Sequence, residues 1–435
     1  MGEGADDGVR AVSTVRGWVR ERYEAAVRSD FVRSVAETMA TRIALVGVGL
    51  VTSVLIARSL GPEGRGLQAT MATITALGVQ FGNLGLHASN TYYVARDRKS
   101  LPTLMGNSLL VGLGAGSLLC LVGGVAMLAI PGISPLPPAL VALALAAVPI
   151  GLCYLLLQNL LLGIGEVRRY NVIELVTRVG MIGLIGVLII GRAVSVEAIA
   201  VAGLVVSMVA GVWAFEVLRP HAKGIKASYD ALREQLGYGI RAYLAALFAY
   251  AVLRADILLC KYILGAGPTG QYSIAVSMAD LVYMLPVVAG TIAFPRLAAT
   301  EDPAERWLKA KRAAKWVGAL LVCLALVSAM LARPAVRILY GEAFIPAVPA
   351  FLWLLPGIVI LGVNTILMNY FASEGMPLIT IWSPALASVA NIGLDVTLLP
   401  RIGIVGASLA SSMAYAMMLA MSIVYIRARW KRAQV

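Results

Sequence analysis

One apolar stretch of the sequence, residues 235–263, carries a row of cationic and aromatic side chains. On a helical wheel with about 100° per residue, an arc of about 40° contains Tyr243, Tyr250, Arg254 and Lys261. Charged groups in apolar surroundings are costly, so they usually face a protein interior or a water-filled cavity and indicate function. Together these groups would attract an anion, and a phosphate is the obvious candidate. The alternative is that they pair with neighbouring helices.

Three further apolar stretches carry polar side chains in register. In residues 66–95, an arc of about 80° contains Thr73, Gln80, Asn83, His87 and Asn90. Residues 268–296 place Ser273, Ser277 and Asp280 on one face, and residues 35–58 contain Arg42. His87 is either a proton relay or a neutral side chain hydrogen-bonded within its polar face.

Other intramembrane polar residues favour a structural interpretation. Glu174 and Arg178 are spaced i, i+4, which predicts an intrahelical ion pair rather than a ligand site. Asp395 shares a face with Ser388 and Asn391, and packing at a helix interface is favoured there over function. Asp256 points away from the cationic row of its own helix and is expected to pair elsewhere.

These side chains sit in a sequence that is too apolar for a soluble domain. The 435 residues are 60% hydrophobic and 14% charged, with a mean hydropathy of +0.84, whereas soluble domains carry about 25% charged residues. A helix needs about 20 apolar residues to cross a bilayer. Runs of this length predict an all-α membrane protein with about twelve transmembrane helices, near residues 35–58, 66–95, 103–129, 138–163, 168–191, 195–218, 235–263, 268–296, 306–331, 346–373, 377–399 and 403–427.

The distribution of Lys and Arg orients these helices. If both termini are cytoplasmic, the cytoplasmic segments contain 25 Lys and Arg and the opposite loops contain six. Because cytoplasmic loops are enriched in these residues, the count predicts cytoplasmic termini. The N-terminal segment is either a membrane-surface helix or a partly disordered leader. The expected division is a basic cytoplasmic N-terminal segment (1–34), an N-lobe of six helices (35–218), a cytoplasmic linker (219–234), a C-lobe of six helices (235–427) and a cytoplasmic tail (428–435).

The chain contains an internal repeat of about half its length. ARSLGPEGRG at 57–66 matches KYILGAGPTG at 261–270, which aligns Gly61 with Gly265 and Gly66 with Gly270. Each half has an even number of spans, so the two halves share one topology and leave a cleft between them. The first, second, seventh and eighth spans are repeat equivalents. Their polar faces are expected to converge on this cleft, which predicts a substrate cavity lined by Arg42, Gln80, Asn83, His87, Asn90, Tyr250, Arg254, Lys261 and Asp280.

The sequence carries no signature of an enzyme, a metal site or a nucleic-acid partner. GPEGRG at 61–66 connects two spans and lacks the Lys-Ser/Thr ending of a phosphate-binding loop. The four cysteines fall inside apolar segments without metal-ligand spacing. Since there is no nucleotide-binding domain, energy for transport is expected from a Na+ or H+ gradient, the membrane potential or the substrate gradient.

Taken together, these motifs resemble the multidrug/oligosaccharidyl-lipid/polysaccharide exporter superfamily, most closely its bacterial polysaccharide flippases. The matching segments are ARSLGPEGRG at 57–66, RADILLCKYILGAGPTGQYSIAVSMADLVYMLP at 254–286, Phe294-Pro295-Arg296 and NIGLDVTLLPRIGIVGASLA at 391–410. The resemblance implies a V-shaped transporter of two lobes with a central cavity that opens alternately to either side. Relatives that flip the peptidoglycan precursor commonly have two additional spans and more Arg in the first span, and this departure argues against that role.

The function that the resemblance implies is flipping of an undecaprenyl-diphosphate-linked oligosaccharide from the inner to the outer leaflet of the bacterial cytoplasmic membrane. The expected partners are this anionic glycolipid, membrane lipids, and the polymerase and glycosyltransferases of surface polysaccharide synthesis. One alternative is an ion-coupled multidrug exporter, whose cationic substrates would favour an acidic cavity. Another is a non-transporting membrane assembly protein, which would leave the polar faces without a purpose.

Overall fold

The structure is a computed structural model that describes the backbone of residues 4–129, 132 and 134–433, and side chains between Thr41 and Arg429 except at 43, 128 and the backbone gaps. This part of the chain is helical and contains no strand, which confirms the all-α prediction. The surface character predicted for residues 1–34 depends on side chains outside the described ones. The helices are α1 (Gly4–Gly82), α2 (Leu86–Arg96), α3 (Leu101–Ala129), α4 (Pro138–Gly163), α5 (Val167–Ile190), α6 (Val196–Leu218), α7 (Tyr229–Leu264), α8 (Ala266–Ala298), α9 (Pro303–Leu339), α10 (Ala347–Ser373), α11 (Ile379–Ile402) and α12 (Ile404–Ala433).

Helix α1 contains a sharp reversal at Gly61, where φ is 67° and ψ is −176°. In a straight helix, the Cα atoms of Ser53 and Arg65 would lie about 18 Å apart. Instead their side chains form a hydrogen bond of 3.3 Å, so the two arms of α1 fold back on each other. Eleven helices in the described ranges are long and apolar enough to cross a membrane. Counting the two arms of the first separately gives the twelve predicted crossings.

The same reversal occurs between α7 and α8, and it reveals the internal repeat in three dimensions. Gly265 has φ of 90° and ψ of −175°, close to the values of Gly61. Only glycine adopts such positive φ without strain. The reversal follows the first helix of each half, at the positions that the sequence repeat aligns. The fold is therefore two six-helix lobes related by an internal repeat.

The second crossing differs from its prediction because it is not one continuous helix. Residues 83–85 interrupt it between α1 and α2, and Leu84 and Gly85 have φ of 50° and 85°. The side-chain oxygen of Asn83 accepts a hydrogen bond from the backbone N–H of His87 at 3.1 Å, which stabilises the break. The predicted span of 66–95 is wrong in this respect. The sequence signal for the break was the pair Asn83 and Gly85, because both residue types favour turns.

The predicted linker, residues 219–234, is shorter in the structure. Helix α7 begins at Tyr229, and the Ser228 hydroxyl accepts a hydrogen bond from the Ala231 N–H at 3.4 Å. Serine at the N-cap satisfies a backbone donor that the first helical turn leaves free. This capping signal places the start of the helix before the apolar run that defined the prediction.

Each lobe has its own apolar core and an apolar outer surface. The C-lobe core surrounds Tyr272 and Phe351, which are fully buried. Outward-facing side chains remain exposed, including Leu121 at 64%, Val212 at 56% and Met330 at 82%. Such extensive exposure of apolar side chains is unfavourable in water and suits contact with lipid. The chain is a multi-pass membrane protein.

Candidate functional site

Three adjoining pockets with shared lining residues lie between the lobes, with walls formed mainly by α1, α5, α7 and α8, and we call them together the cavity. Four arginines but only two carboxylates contribute to the walls, so the cavity carries an excess of positive charge. The remaining polar contributors are hydroxyl and amide side chains. The polar and charged lining residues are Arg42, Thr52, Ser53, Arg65, Gln68, Thr73, Glu174, Arg178, Tyr250, Arg254, Ser273, Ser277, Asp280 and Tyr340.

The four arginines are spread along the direction in which the helices cross the membrane. We call the end of the bundle with Gly61 and Gly265 the kink side, and the end with residues 219–228 the linker side. Arg42 lies in the first arm of α1, 19 residues before Gly61 and therefore towards the linker side, and Ser53 is eleven positions further along the same wall, about 16 Å at 1.5 Å per residue. Arg65 lies four residues beyond Gly61 on the kink side. Positive charge therefore occurs at both ends of the cavity.

Arg254 and Asp280 form the central ion pair of the cavity. A nitrogen of the Arg254 guanidinium lies 2.8 Å from a carboxylate oxygen of Asp280, and Tyr250 lines the same region one turn before Arg254. The two side chains are 25% and 44% exposed, so the pair is accessible from the cavity. The sequence placed all three side chains in the cleft, and the structure brings them together.

Arg65 is the cavity arginine that sequence analysis missed, because it was counted among loop residues. It is only 8% exposed, and the atoms that accept its hydrogen bonds are all neutral. They are the hydroxyls of Ser273 at 3.1 Å, Ser53 at 3.3 Å and Ser277 at 3.4 Å, and the side-chain oxygen of Gln68 at 2.8 Å. The sequence repeat aligns Arg65 with Thr269, a position that the structure shows to be buried at the start of α8.

Glu174 and Arg178 form the predicted intrahelical ion pair, with an N–O distance of 3.5 Å. Their role is wider than that prediction, because both side chains also line the cavity. The Arg178 side chain is 55% exposed, which leaves most of its donors available. Arg42 of α1 donates a long hydrogen bond of 3.5 Å to the hydroxyl of Tyr170, which lies one turn before Glu174 on the same helix, α5.

Five residues predicted for the cavity do not contribute to the walls described above. They are Gln80, Asn83, His87, Asn90 and Lys261. The Asn83 amide lies 2.6 Å from a ring nitrogen of His87 at the helix break, which supports the hydrogen-bonded interpretation of the histidine. The fully buried Asn90 bonds Ser108 and Gln235. The polar face of the second span thus divides, since Thr73 lines the cavity whereas Asn83, His87 and Asn90 bond within packed helices. Helical periodicity does not distinguish a cavity from a polar interface.

A second buried polar cluster lies inside the C-lobe, and its residues do not line the cavity walls described above. Asp256 is 2% exposed and accepts hydrogen bonds from the Tyr272 hydroxyl and, at 3.3 Å, from the Ser411 hydroxyl. Ser411 also contacts the Asn391 amide at 3.4 Å. One turn further along α11, Asp395 is fully buried, and neither of its carboxylate oxygens has a hydrogen-bond partner among the described residues. Unpaired buried carboxylate oxygens are rare and suit a cation or a proton.

The cluster consists of two carboxylates supported by neutral groups. The described part of the chain contains no group of three or more His, Cys, Asp or Glu positioned for a metal ion. The cluster therefore lacks the ligand set of a multivalent metal centre. Sequence analysis favoured packing for Asp395, since the convergence of α7, α8, α11 and α12 was not visible in the sequence.

The lobes contact each other at both ends of the cavity. On the kink side, a Cβ atom added to Gly66 would lie 1.9 Å from the Ala266 carbonyl oxygen, and one added to Gly270 would lie 1.9 Å from the Pro62 carbonyl oxygen. Arg58 donates hydrogen bonds to backbone carbonyls at the end of α9 on the same side. No side chain larger than hydrogen fits at either glycine without separating the helices.

On the linker side, Gly85 and Gly239 form a second close contact. A Cβ atom added to Gly239 would lie 2.4 Å from the Gly85 carbonyl oxygen. Beside this contact, the rings of Tyr92 and Tyr238 stack with their centroids 4.3 Å apart. The buried Gln235 connects the lobes through hydrogen bonds with Asn90 and Asn107 of the N-lobe. In this conformation the two lobes are therefore in contact on both the kink side and the linker side.

Comparison with solved structures identifies the architecture. Over 89% of this chain and 87% of the other, the fold matches the lipid II flippase MurJ in an inward closed conformation, with a TM-score of 0.73 and 14% identity. An inward-facing multidrug resistance MATE family transporter of the MOP superfamily matches over 89% and 94%, with a TM-score of 0.70 and 15% identity. A MOP superfamily transporter from Pyrococcus furiosus, described as having a binding pocket of reverse polarity, matches over 93% and 96%, with a TM-score of 0.66 and 16% identity.

Comparison of the sequence itself gives the family. No curated protein matches the chain. The sequence model of the family described as polysaccharide biosynthesis protein matches residues 55–349, which include the repeated reversals and three of the four cavity arginines. This match covers more than half of the chain and agrees with the fold. The chain therefore belongs to the family described as polysaccharide biosynthesis protein.

Proposed function

We propose that this protein flips an undecaprenyl-diphosphate-linked oligosaccharide from the inner to the outer leaflet of the bacterial cytoplasmic membrane for synthesis of a surface polysaccharide. The observation that carries the proposal is the excess of arginine in the central cavity. Such a glycolipid concentrates its negative charge on the diphosphate between lipid and sugar. Guanidinium groups bind phosphate through paired hydrogen bonds, and the attraction is strong where little water screens it.

The remaining walls of the cavity suit the other parts of the cargo. Hydroxyl and amide groups of Ser53, Gln68 and Tyr250 could exchange hydrogen bonds with sugar hydroxyls. The polyprenyl chain would stay in the bilayer, against the apolar outer faces of the lobes, because moving it into a charged cavity would cost hydrophobic free energy.

The distribution of Lys and Arg supports a cytoplasmic linker side and a kink side that faces outward. In this orientation Arg42 lies near the entrance for a cytoplasmic headgroup, Arg178 and Arg254 lie further in, and Arg65 lies near the exit. The two glycine contacts would then separate in turn. Opening at Gly85 and Gly239 would admit the headgroup, and opening at Gly66 and Gly270 would release it.

The cluster around Asp256 and Asp395 supports coupling to a cation. A sodium ion or a proton would supply the partner that both oxygens of Asp395 lack. Asp256 lies two residues from Arg254 on α7. A cation bound at the cluster would therefore change the position of the helix that carries the central ion pair. The energy for transport would then come from the ion gradient.

Multidrug export shares this fold but is less well supported by the cavity. A cationic drug would meet four arginines and only two carboxylates, one of which is already paired with Arg254. A non-transporting assembly protein would gain nothing from charged groups distributed along a cavity, which reduce stability unless they are paired.

The test uses a strain that lacks the gene and is complemented with variants. We expect Arg42→Ala and Arg254→Ala together to reduce surface polysaccharide at least tenfold, with protein levels checked by immunoblot. Arg401→Ala, which removes an exposed arginine at the end of α11, is the matched control and should export normally. Normal export by the double variant would reject the proposal, and increased drug susceptibility of the deletion strain would favour the multidrug exporter.

A further inference from the structure

Arg65 is a buried cation without a counter-charge. Within the described residues, its guanidinium contacts four neutral acceptors and no carboxylate, although it is only 8% exposed. Arg254, in the same cavity, is more exposed and has Asp280 as its partner. A buried charge that lacks an opposite charge is destabilising, whereas an incoming anion would convert that cost into binding free energy.

The groups around Arg65 form a donor-rich pocket from three parts of the fold. Ser53 comes from the first arm of α1, Ser273 and Ser277 come from α8, and Tyr340 follows α9. Tyr340 is 2% exposed, and its hydroxyl lies near the Ser53 hydroxyl and Arg65 without a hydrogen bond of good geometry among the described residues. A weakly bonded buried hydroxyl beside a buried guanidinium that lacks a counter-charge would suit an anionic oxygen as a common partner.

The hydrogen bonds of Arg65 also connect the two lobes. Arg65 belongs to the N-lobe, whereas Ser273 and Ser277 belong to the C-lobe. The neighbouring residue, Gly66, is in backbone contact with Gly270, three residues before Ser273. An anion that draws the guanidinium away from the two serines would therefore remove hydrogen bonds that hold the kink side closed.

We propose that Arg65 and Tyr340 form a phosphate-binding subsite whose occupation releases the kink-side contact between the lobes. This inference rests on the proposed function, since it gives the diphosphate of the cargo a second binding position, further towards the kink side than the Arg254 region. A phosphate carries the charge opposite to that of the guanidinium and can accept paired hydrogen bonds from it, whereas the hydroxyls of Ser273 and Ser277 are neutral, so the anion outcompetes the two serines. Arrival of the headgroup at the exit thereby opens the exit.

The experiment measures lobe separation in the purified full-length protein in nanodiscs. Spin labels are placed at Ser59→Cys and Ala343→Cys, exposed positions on the kink side of opposite lobes, after the four native cysteines are replaced. Inorganic pyrophosphate is the soluble probe, and undecaprenyl diphosphate in the nanodisc is the lipid probe. We expect either probe to increase the population with a long distance between the labels.

Two variants separate binding from the lobe contact. Arg65→Gln should weaken the response to pyrophosphate at least about tenfold, the effect of losing a hydrogen bond to a charged group. Ser273→Ala combined with Ser277→Ala should increase the separated population without any probe, because it removes the competing acceptors but keeps Arg65. The second variant keeps the test decisive if Arg65→Gln fails to fold.

The outcomes distinguish this inference from the proposed function. A response to both probes supports the subsite with the diphosphate alone as the trigger, and a response to undecaprenyl diphosphate only supports it with the lipid-linked source. No response to either probe, or an equal response in Arg65→Gln, overturns it even if export requires Arg42 and Arg254. Conversely, normal export without Arg42 and Arg254 rejects the proposed function, whatever the labels at 59 and 343 report.

Discussion

Gly66 and Gly270 occupy equivalent positions in the two halves of the chain, and each packs against the backbone of the other's helix. The symmetry extends to their neighbours, since Gly66 faces the Ala266 carbonyl and Gly270 faces the Pro62 carbonyl. The closest approach of the lobes on the kink side is thus a contact between two copies of the same repeated segment. A contact between equivalent segments lies on the axis that relates the two halves, and this position suits a pivot for lobes that rock against each other.

Gly66→Ala should shift the protein towards a conformation open on the kink side. Its Cβ atom would lie 1.9 Å from a backbone oxygen, and no rotamer change relieves that overlap. A cysteine at Gln68, inside the cavity, should then react faster with a membrane-impermeant maleimide added outside the cell. Gly47→Ala is the control, because a Cβ atom there meets nothing within 4 Å. Equal labelling of both variants would contradict a gating role for Gly66.

Gly239→Ala should have the opposite effect, since it obstructs the contact with Gly85 on the linker side. We expect a cysteine at Val46 to become more reactive in inverted membrane vesicles, where the cytoplasmic face is accessible. Gly237→Ala is a matched control on the same helix, because a Cβ atom at Gly237 has open space around it. Faster labelling in the Gly237→Ala protein as well would indicate a general loosening of α7 rather than a specific contact.

The sequence predicted the framework of these contacts but not their partners. Apolar run length and the repeated Leu-Gly motif predicted the crossings and the alignment of Gly66 with Gly270. That the two glycines touch was not predicted, because a repeat specifies equivalent positions and not the distance between them. The break at 83–85 was missed for a related reason, since its Gly85 is explained by a contact with α7 that is distant in sequence.

The residues of the candidate site also fall into those that the sequence predicted and those that it did not. Arg254, Tyr250 and Asp280 were predicted because charged or aromatic residues stand out in apolar helices. Asn90 lies on an equally polar helix face, but its side chain is hydrogen-bonded to Gln235 of the other lobe. The periodicity of the helix that contains Asn90 does not reveal this partner. Arg65 was overlooked because it follows a turn motif, and only the fold-back of α1 brings it into the cavity.

Asp395→Asn should remove a cation response and also stabilise the protein. The carboxylate is fully buried, and both of its oxygens lack partners among the described residues, so neutralising it removes the cost of burying a charge without a counter-charge. If sodium is the coupling ion, NaCl should raise the Tm of the wild type relative to choline chloride, but not that of the variant. Asp230→Asn, at an exposed position in the first turn of α7, should keep the sodium response.

Two results would separate sodium from a proton as the partner. A sodium-independent Tm in the wild type, together with transport that follows the pH gradient, would identify the proton as the coupling ion. A sodium-dependent Tm in Asp395→Asn would show that sodium binds elsewhere, and the cluster around Asp256 would then be structural.

Asp280→Asn should strengthen the binding of anions while slowing transport. Asp280 lies 2.8 Å from Arg254 and is 44% exposed, so it competes with any phosphate that approaches this guanidinium. Removing its charge frees Arg254, and a gain of about 1 kcal/mol corresponds to roughly fivefold tighter binding of pyrophosphate. Release of the cargo should slow by a similar factor, because the carboxylate no longer returns to Arg254.

Isothermal titration with pyrophosphate and export measured in cells test the two parts of this prediction. The double variant Asp280→Asn with Arg254→Ala should bind no better than Arg254→Ala alone, since the effect of Asp280 acts through Arg254. Glu174→Gln is the matched control, because it neutralises the other cavity carboxylate, whose partner is Arg178. Weaker binding by Asp280→Asn would mean that this carboxylate orients Arg254 for its ligand instead of competing for it.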